Sequence, residues 1–318
     1  MSAKRKTGQT QSETEESMRN LSEREFTTYP RKFNAYRWFK PILVGLLFIV
    51  FYFLFASLVF LITSLVFRTT VTSTGYDDLN FYSASGAFFN SAIEAVYIPS
   101  FLIAGMIVKD RPFSSYFSSM GGWRWKTFLR TFAAGFVILG IPLILFFLLS
   151  GKAGEIQFTA GGFILLILLM PLLCVAEELM YRGYVTQTVS SWFKLPVLGL
   201  IVQTIAFAAV HPYNLTGVIY IAATAVIYGL ISVYSKGIEA SSALHIVNNL
   251  TELIMGGFGF GVLTSQQTVS SSLFNVVFKI AFLAFILYAD KKLHWFNEVQ
   301  YDDIESFNAR HPSKKRAS

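Results

Sequence analysis

The sequence predicts an all-α, polytopic membrane protein: a bundle of about eight transmembrane helices around an internal cavity. Three observations predict it. Hydrophobic residues make up 53% of the 318 and charged residues only 14%, with a mean hydropathy of +0.51; a soluble domain carries about 25% charged residues. Apolar runs of membrane-spanning length recur along the chain, separated by polar stretches. The lysines and arginines behind the +7 net charge crowd into the N-terminal arm, the C-terminal tail and two internal loops, the placement described by the positive-inside rule. Basic residues that flank spans point to a membrane and not to nucleic acid, so the lipid bilayer is the expected partner and no nucleic acid is. The single cysteine, Cys174, excludes an intramolecular disulfide and a cysteine-based zinc cage.

Taken in order, residues 1–36 are rich in Ser, Thr, Glu, Lys and Arg and read as a disordered cytoplasmic arm. Tyr36 to Lys40 supply aromatic and basic anchors, and Pro41 to Phe67 is an apolar run long enough to span with tilt. The polar stretch to Phe81, with Asp77 and Asp78, falls on the outer side. A second span, Ala84 to Val108, carries the acid Glu94, which either lines a cavity or sits solvated near the outer end of its helix. Lys109 to Lys126 is basic and aromatic, as a cytoplasmic segment lying at the interface would be. A third span, about Phe128 to Ser150, leads through an outer loop to a fourth beginning near Gly161. The fifth, Leu195 to His211, is short for a bilayer crossing and is stopped by Pro212. Leu215 to Tyr234, Glu239 to Met255 and Leu273 to Leu287 complete the set.

This gives an arm (1–36), helices 1–3 with their interfacial loop (37–160), a core (161–257), a last loop and helix (258–293) and a cytoplasmic tail (294–318). Both termini are expected on the cytoplasmic face of a bacterial cell membrane. There is no internal repeat.

Chemistry concentrates in three of the helices. Glu177, Glu178 and Arg182 follow directly on the apolar run Phe163 to Leu173, where each ionised side chain costs roughly 2.5–3.5 kcal/mol on insertion scales. Glu178 and Arg182 are four apart and pair on one helix face, while Glu177 is turned about 100° away and is free to work elsewhere. Phe207 and His211, and His245 and Asn249, are likewise four apart. Glu177 and His211 each lie seventeen residues from Lys194, so a symmetric hairpin sets carboxylate and imidazole at one level. His245, nine residues from Lys236, sits shallower unless the segment after Gly183 lies along the interface. A carboxylate and an imidazole can hold and deprotonate water, and a second imidazole with a carboxamide can donate to an oxyanion.

Glu-Glu-x-x-x-Arg at Glu177, Glu178 and Arg182, Phe-x-x-x-His at Phe207 and His211, and His-x-x-x-Asn at His245 and Asn249 resemble, in that order, the CPBP family of intramembrane proteases. That family includes the eukaryotic CAAX prenyl endoprotease and many bacterial Abi-type proteins, and the motifs cover about residues 162–255. The resemblance implies a CAAX-type endopeptidase acting on a membrane-associated peptide or protein. It implies that Glu177 with His211 activates water, that His245 with Asn249 stabilises the oxyanion, and that Glu178 and Arg182 support them. It leaves a zinc ion on Glu177, His211 and His245 as the alternative to a metal-free site, the metal-free reading being preferred in the absence of a His-Glu-x-x-His. Related bacterial proteins are associated with peptide maturation, bacteriocin immunity and signalling. The competing expectation is a non-catalytic membrane scaffold that binds another membrane protein.

Overall fold

The computed structural model describes residues 25–69, 80–150, 153–260 and 265–312. Asp77, Asp78 and most of the N-terminal arm lie outside them. The described residues form an all-α bundle whose only strand-like pairing is an isolated bridge between Ser118 and Gly237. The helices are α1 (Lys40–Phe67), α2 (Ala84–Val108), α3 (Trp125–Leu149), α4 (Ala160–Phe193), α5 (Pro196–Ala209), α6 (Leu215–Tyr234), α7 (Glu239–Gly257), α8 (Val269–Leu293) and α9 (Asp303–Arg310). Each of the eight expected segments is helical, but six are long and apolar enough to cross a membrane: α1 to α4, α6 and α8. The chain is an integral membrane protein on that ground. The 14 residues of α5 rise about 21 Å, short of a hydrocarbon core of about 30 Å. Although α7 has 19 residues, most of them are buried against α3, α4 and α6, so this helix can be polar.

Local chemistry sets the starts of the helices. Five of them begin at a side-chain cap: Ser83 Oγ accepts from Gly86 N (3.1 Å), Thr159 Oγ1 from Gly162 N (3.0 Å), Asn214 Oδ1 from Gly217 N (2.8 Å), Thr268 Oγ1 from Ser271 N (3.3 Å) and Asp302 Oδ1 from Glu305 N (3.1 Å). Leu46, Phe53 and Leu65 of α1 face outward, where lipid takes the place of a core. Inside, Leu139, Ile231, Leu244, Phe282 and Ile286 pack between α3, α6, α7 and α8, and Leu166, Met170, Cys174 and Ile246 between α4 and α7. Lipid is as apolar as these side chains, so close packing and internal hydrogen bonds hold the helices together.

Two segments extend the sequence reading. The loop after α2 folds into the protein, with Asp110, Arg111 and Arg124 all buried. Arg111 donates to the Gln187 side chain and to Gly183 O (3.3 Å) and lies 3.6 Å from the Tyr116 ring centre. Arg124 makes a two-pronged bond to Glu239, with Nε to Oε1 and Nη2 to Oε2 both at 2.8 Å. Burial pushes the Asp110 carboxyl up, and the neighbouring Arg111 guanidinium only partly offsets it. The second extension follows from the first. Ser119 N donates to Lys236 O (3.1 Å) and Ile238 N to Phe117 O (2.8 Å), so the α6–α7 turn is roofed over and α7 starts inside the protein.

The first and last described segments meet on one side. Tyr29 Oη donates to Asp303 Oδ1 (2.5 Å), Asn34 N to Asn308 Oδ1 (2.7 Å), and Phe33 packs edge-on against Phe307.

Candidate active site

Helix α4 carries the acids. Its last α-helical residues are Glu177 and Glu178, and from Leu179 to Thr186 it runs as a wider π-helical segment, a local form frequent at functional sites. Thr186 Oγ1 donates to the carbonyl of Tyr181, five residues back, and so fills the widened turn (2.9 Å). Arg182 still reaches Glu178 on its own helix: Nη1 to Oε1 is 3.1 Å, with both side chains fully buried. The guanidinium also lies 4.7 Å from the Phe207 ring centre and 5.4 Å from that of Tyr228. A cation with a carboxylate and two aromatic faces can stay charged inside a bundle.

His245 stands against both acids. Nδ1 is 3.1 Å from Glu178 Oε1 and Nε2 is 3.3 Å from Glu177 Oε2. The sequence reading left open whether His245 sits shallower than the acids. It reaches them with the α6–α7 turn roofed over and α7 starting inside the protein, while α4 runs on to Phe193.

His211 follows the end of α5, its Nδ1 2.7 Å from Phe207 O and its ring stacked near Tyr213. It is not in ion-pair contact with Glu177, whose imidazole partner is His245. Asn249, one turn beyond His245, accepts from Asn248 Nδ2 (3.0 Å), and Asn248 also bonds the Glu252 carboxyl.

Glu177, His211, His245 and Asn249 all line one cavity of about 850 Å³. Glu178 and Arg182 stand behind it. Glu94 lines the same cavity as Glu177, so of its two expected placements the cavity one holds. Tyr181 and Phe207 meet edge-on at 4.9 Å in the cavity wall.

Among the described residues no three His, Cys, Asp or Glu side chains are grouped to hold a metal ion. Both ring nitrogens of His245 are already turned to carboxylates.

The sequence reading missed the far wall, formed by Tyr220, Thr224, Glu252, Asn275 and Lys279. The signal was present: Lys279 is the single charged residue of the run Leu273 to Leu287, and an ionisable residue inside a span is a functional candidate by default.

Paired glutamates, an arginine and two histidines thus gather at one internal cavity of an all-α membrane bundle. Residues 159–251 match the family of type II CAAX prenyl endopeptidase Rce1-like proteins, and that segment of the chain is similar to them. Uncharacterized protein YyaK of Bacillus subtilis (strain 168) is 24% identical over 216 residues, which cover 61% of this chain and 72% of YyaK. No solved structure matches the chain.

Proposed function

We propose that the protein is an intramembrane endopeptidase that hydrolyses a peptide bond of a membrane-associated peptide or protein. The observation that carries this reading is the Glu177 carboxylate, set against His245 in the wall of a cavity large enough for a peptide segment. In the proposed reaction Glu177, helped by His211 across the cavity, takes a proton from water. The hydroxide adds to the peptide carbonyl carbon, and the resulting oxyanion is held by N–H donors of Asn249 and His245. Glu177 then returns the proton to the amine nitrogen as the C–N bond breaks, which balances the step. In the resting arrangement both nitrogens of His245 lie against carboxylates. The His245 Nε2–H therefore turns to the oxyanion only once Glu177 has taken up the water proton. Glu178 and Arg182 fix His245 and the helix face that carries Glu177. No metal ion takes part, and a chelator is expected to leave the rate unchanged.

The test is the full-length protein in liposomes, offered a library of apolar peptides, with products read by mass spectrometry. Glu177→Gln should lower cleavage by about 100-fold to 10,000-fold while insertion is unchanged. Undiminished cleavage in that variant would sink the role of Glu177, and an undiminished phenotype with no cleavage by either protein would favour a membrane scaffold.

A further inference from the structure

Lys279 of α8 is buried, yet its ammonium lines the same cavity as Glu177 and His245. Nζ donates to Tyr220 Oη (2.7 Å) and to Thr224 Oγ1 (3.3 Å), side chains one turn apart on α6. It lies 4.6 Å from the Tyr220 ring centre and 5.6 Å from that of Tyr228. These partners are neutral. The nearby acid, Glu252, is not in ion-pair contact with Nζ and accepts instead from Asn275 Nδ2 (2.7 Å). The ammonium is therefore held in place by hydroxyls and ring faces, with its charge left to the cavity. A buried cation without a contacting anion is costly in a membrane-spanning helix, and an anionic ligand removes that cost.

The place of Lys279 relative to the acids defines what that ligand is. Tyr228 is common to both sides: its ring centre is 5.3 Å from the His245 ring and 5.6 Å from Nζ. Ammonium and imidazole are thus no further apart than those two lengths combined, a gap that a few extended residues bridge at about 3.3–3.6 Å each. Glu94 and Glu177 stand at one end of the cavity, and Lys279, with Glu252 in the same wall, at the other. Such a polar axis orients a bound chain.

We propose that Lys279, held by Tyr220 and Thr224, is a specificity-determining residue that binds the terminal carboxylate of the substrate peptide and so sets which bond reaches Glu177. The orienting role rests on the endopeptidase reading. The anion site itself does not.

Binding and cleavage are therefore measured separately, on full-length protein in detergent and in liposomes. The probes are one set of apolar peptides in three forms: free C-terminal acid, C-terminal amide, and amide with aspartate as the last residue. Binding is read on Glu177→Gln protein, which holds peptides without consuming them. Free acids should bind at least about tenfold more tightly than amides, the scale of one charge-assisted hydrogen bond. Lys279→Met should erase the difference by weakening the acids to the level of the amides, and Lys279→Arg should restore it. Unchanged amide binding certifies that the methionine variant is folded. If that variant aggregates, the acid-to-amide ratio of the lysine and arginine proteins decides. Equal binding of acid and amide, or no binding of either, overturns the proposal. Tight binding of the aspartate amide overturns the terminal assignment in favour of acidic side chains. Absence of cleavage by the unsubstituted protein, with the acid preference intact, overturns the endopeptidase reading and leaves the Lys279 site standing.

Discussion

Glu178 and Arg182 show how two charges persist where neither would alone. Each is fully buried and they meet at 3.1 Å, so removing one strands the other. Arg182→Met should destabilise the protein by about 3–5 kcal/mol, read as a large fall in melting temperature in detergent. Arg182→Met combined with Glu178→Gln should recover most of it, because no unpaired charge is left. A double variant no more stable than the single would show that the pair is not the cause. Asp110 makes the converse case. Burial raises its carboxyl pKa, so the folded state binds more protons than the unfolded chain. Its contribution to stability therefore falls as pH rises above the ordinary aspartate range, near 3.9. Asp110→Asn should leave the melting temperature unchanged or higher at pH 7, with a larger advantage at pH 8 than at pH 5. An advantage that shrinks with pH would contradict this sign.

At the scale of elements, α4 is the part the site depends on. Its π-helical segment contains Gly183, where a Cβ would run into the carbonyl of Tyr116 in the folded-in loop. That close approach lets Arg111 reach the Gly183 carbonyl. Gly183→Val should cost about 1–3 kcal/mol, the usual penalty of overpacking, and should lower cleavage by displacing Glu177 and Glu178 a turn away. A variant with native melting temperature and activity would show that the loop can yield.

At the scale of the molecule, contacts of Tyr29 with Asp303 and Asn34 with Asn308 put the first and last described segments on one side of the bundle, and the positive-inside rule leads us to propose that this side is cytoplasmic. A cysteine replacing the exposed Lys194, in a Cys174→Ser background, should react with an impermeant thiol reagent only after the membrane is opened. Labelling of intact cells would invert the topology.

The division between what was legible and what was not follows from range. Helical class, the apolar spans, the Glu178–Arg182 pair and the candidate set Glu177, His211, His245 and Asn249 are set by composition and by spacings of four residues, and the sequence by itself determined them. Hydropathy and helix periodicity are local properties, readable without knowing any neighbour. Only the tertiary structure decided which groups meet. Whether His245 or His211 stands beside Glu177 depends on how deep α7 starts, and that depth is set by Arg124, Ser119 and Phe117, more than a hundred residues away along the chain. The same holds for Glu94 and Lys279. Each is a single charge in an apolar run, and only the packing of α2 and α8 around α4, α6 and α7 turns both toward one cavity.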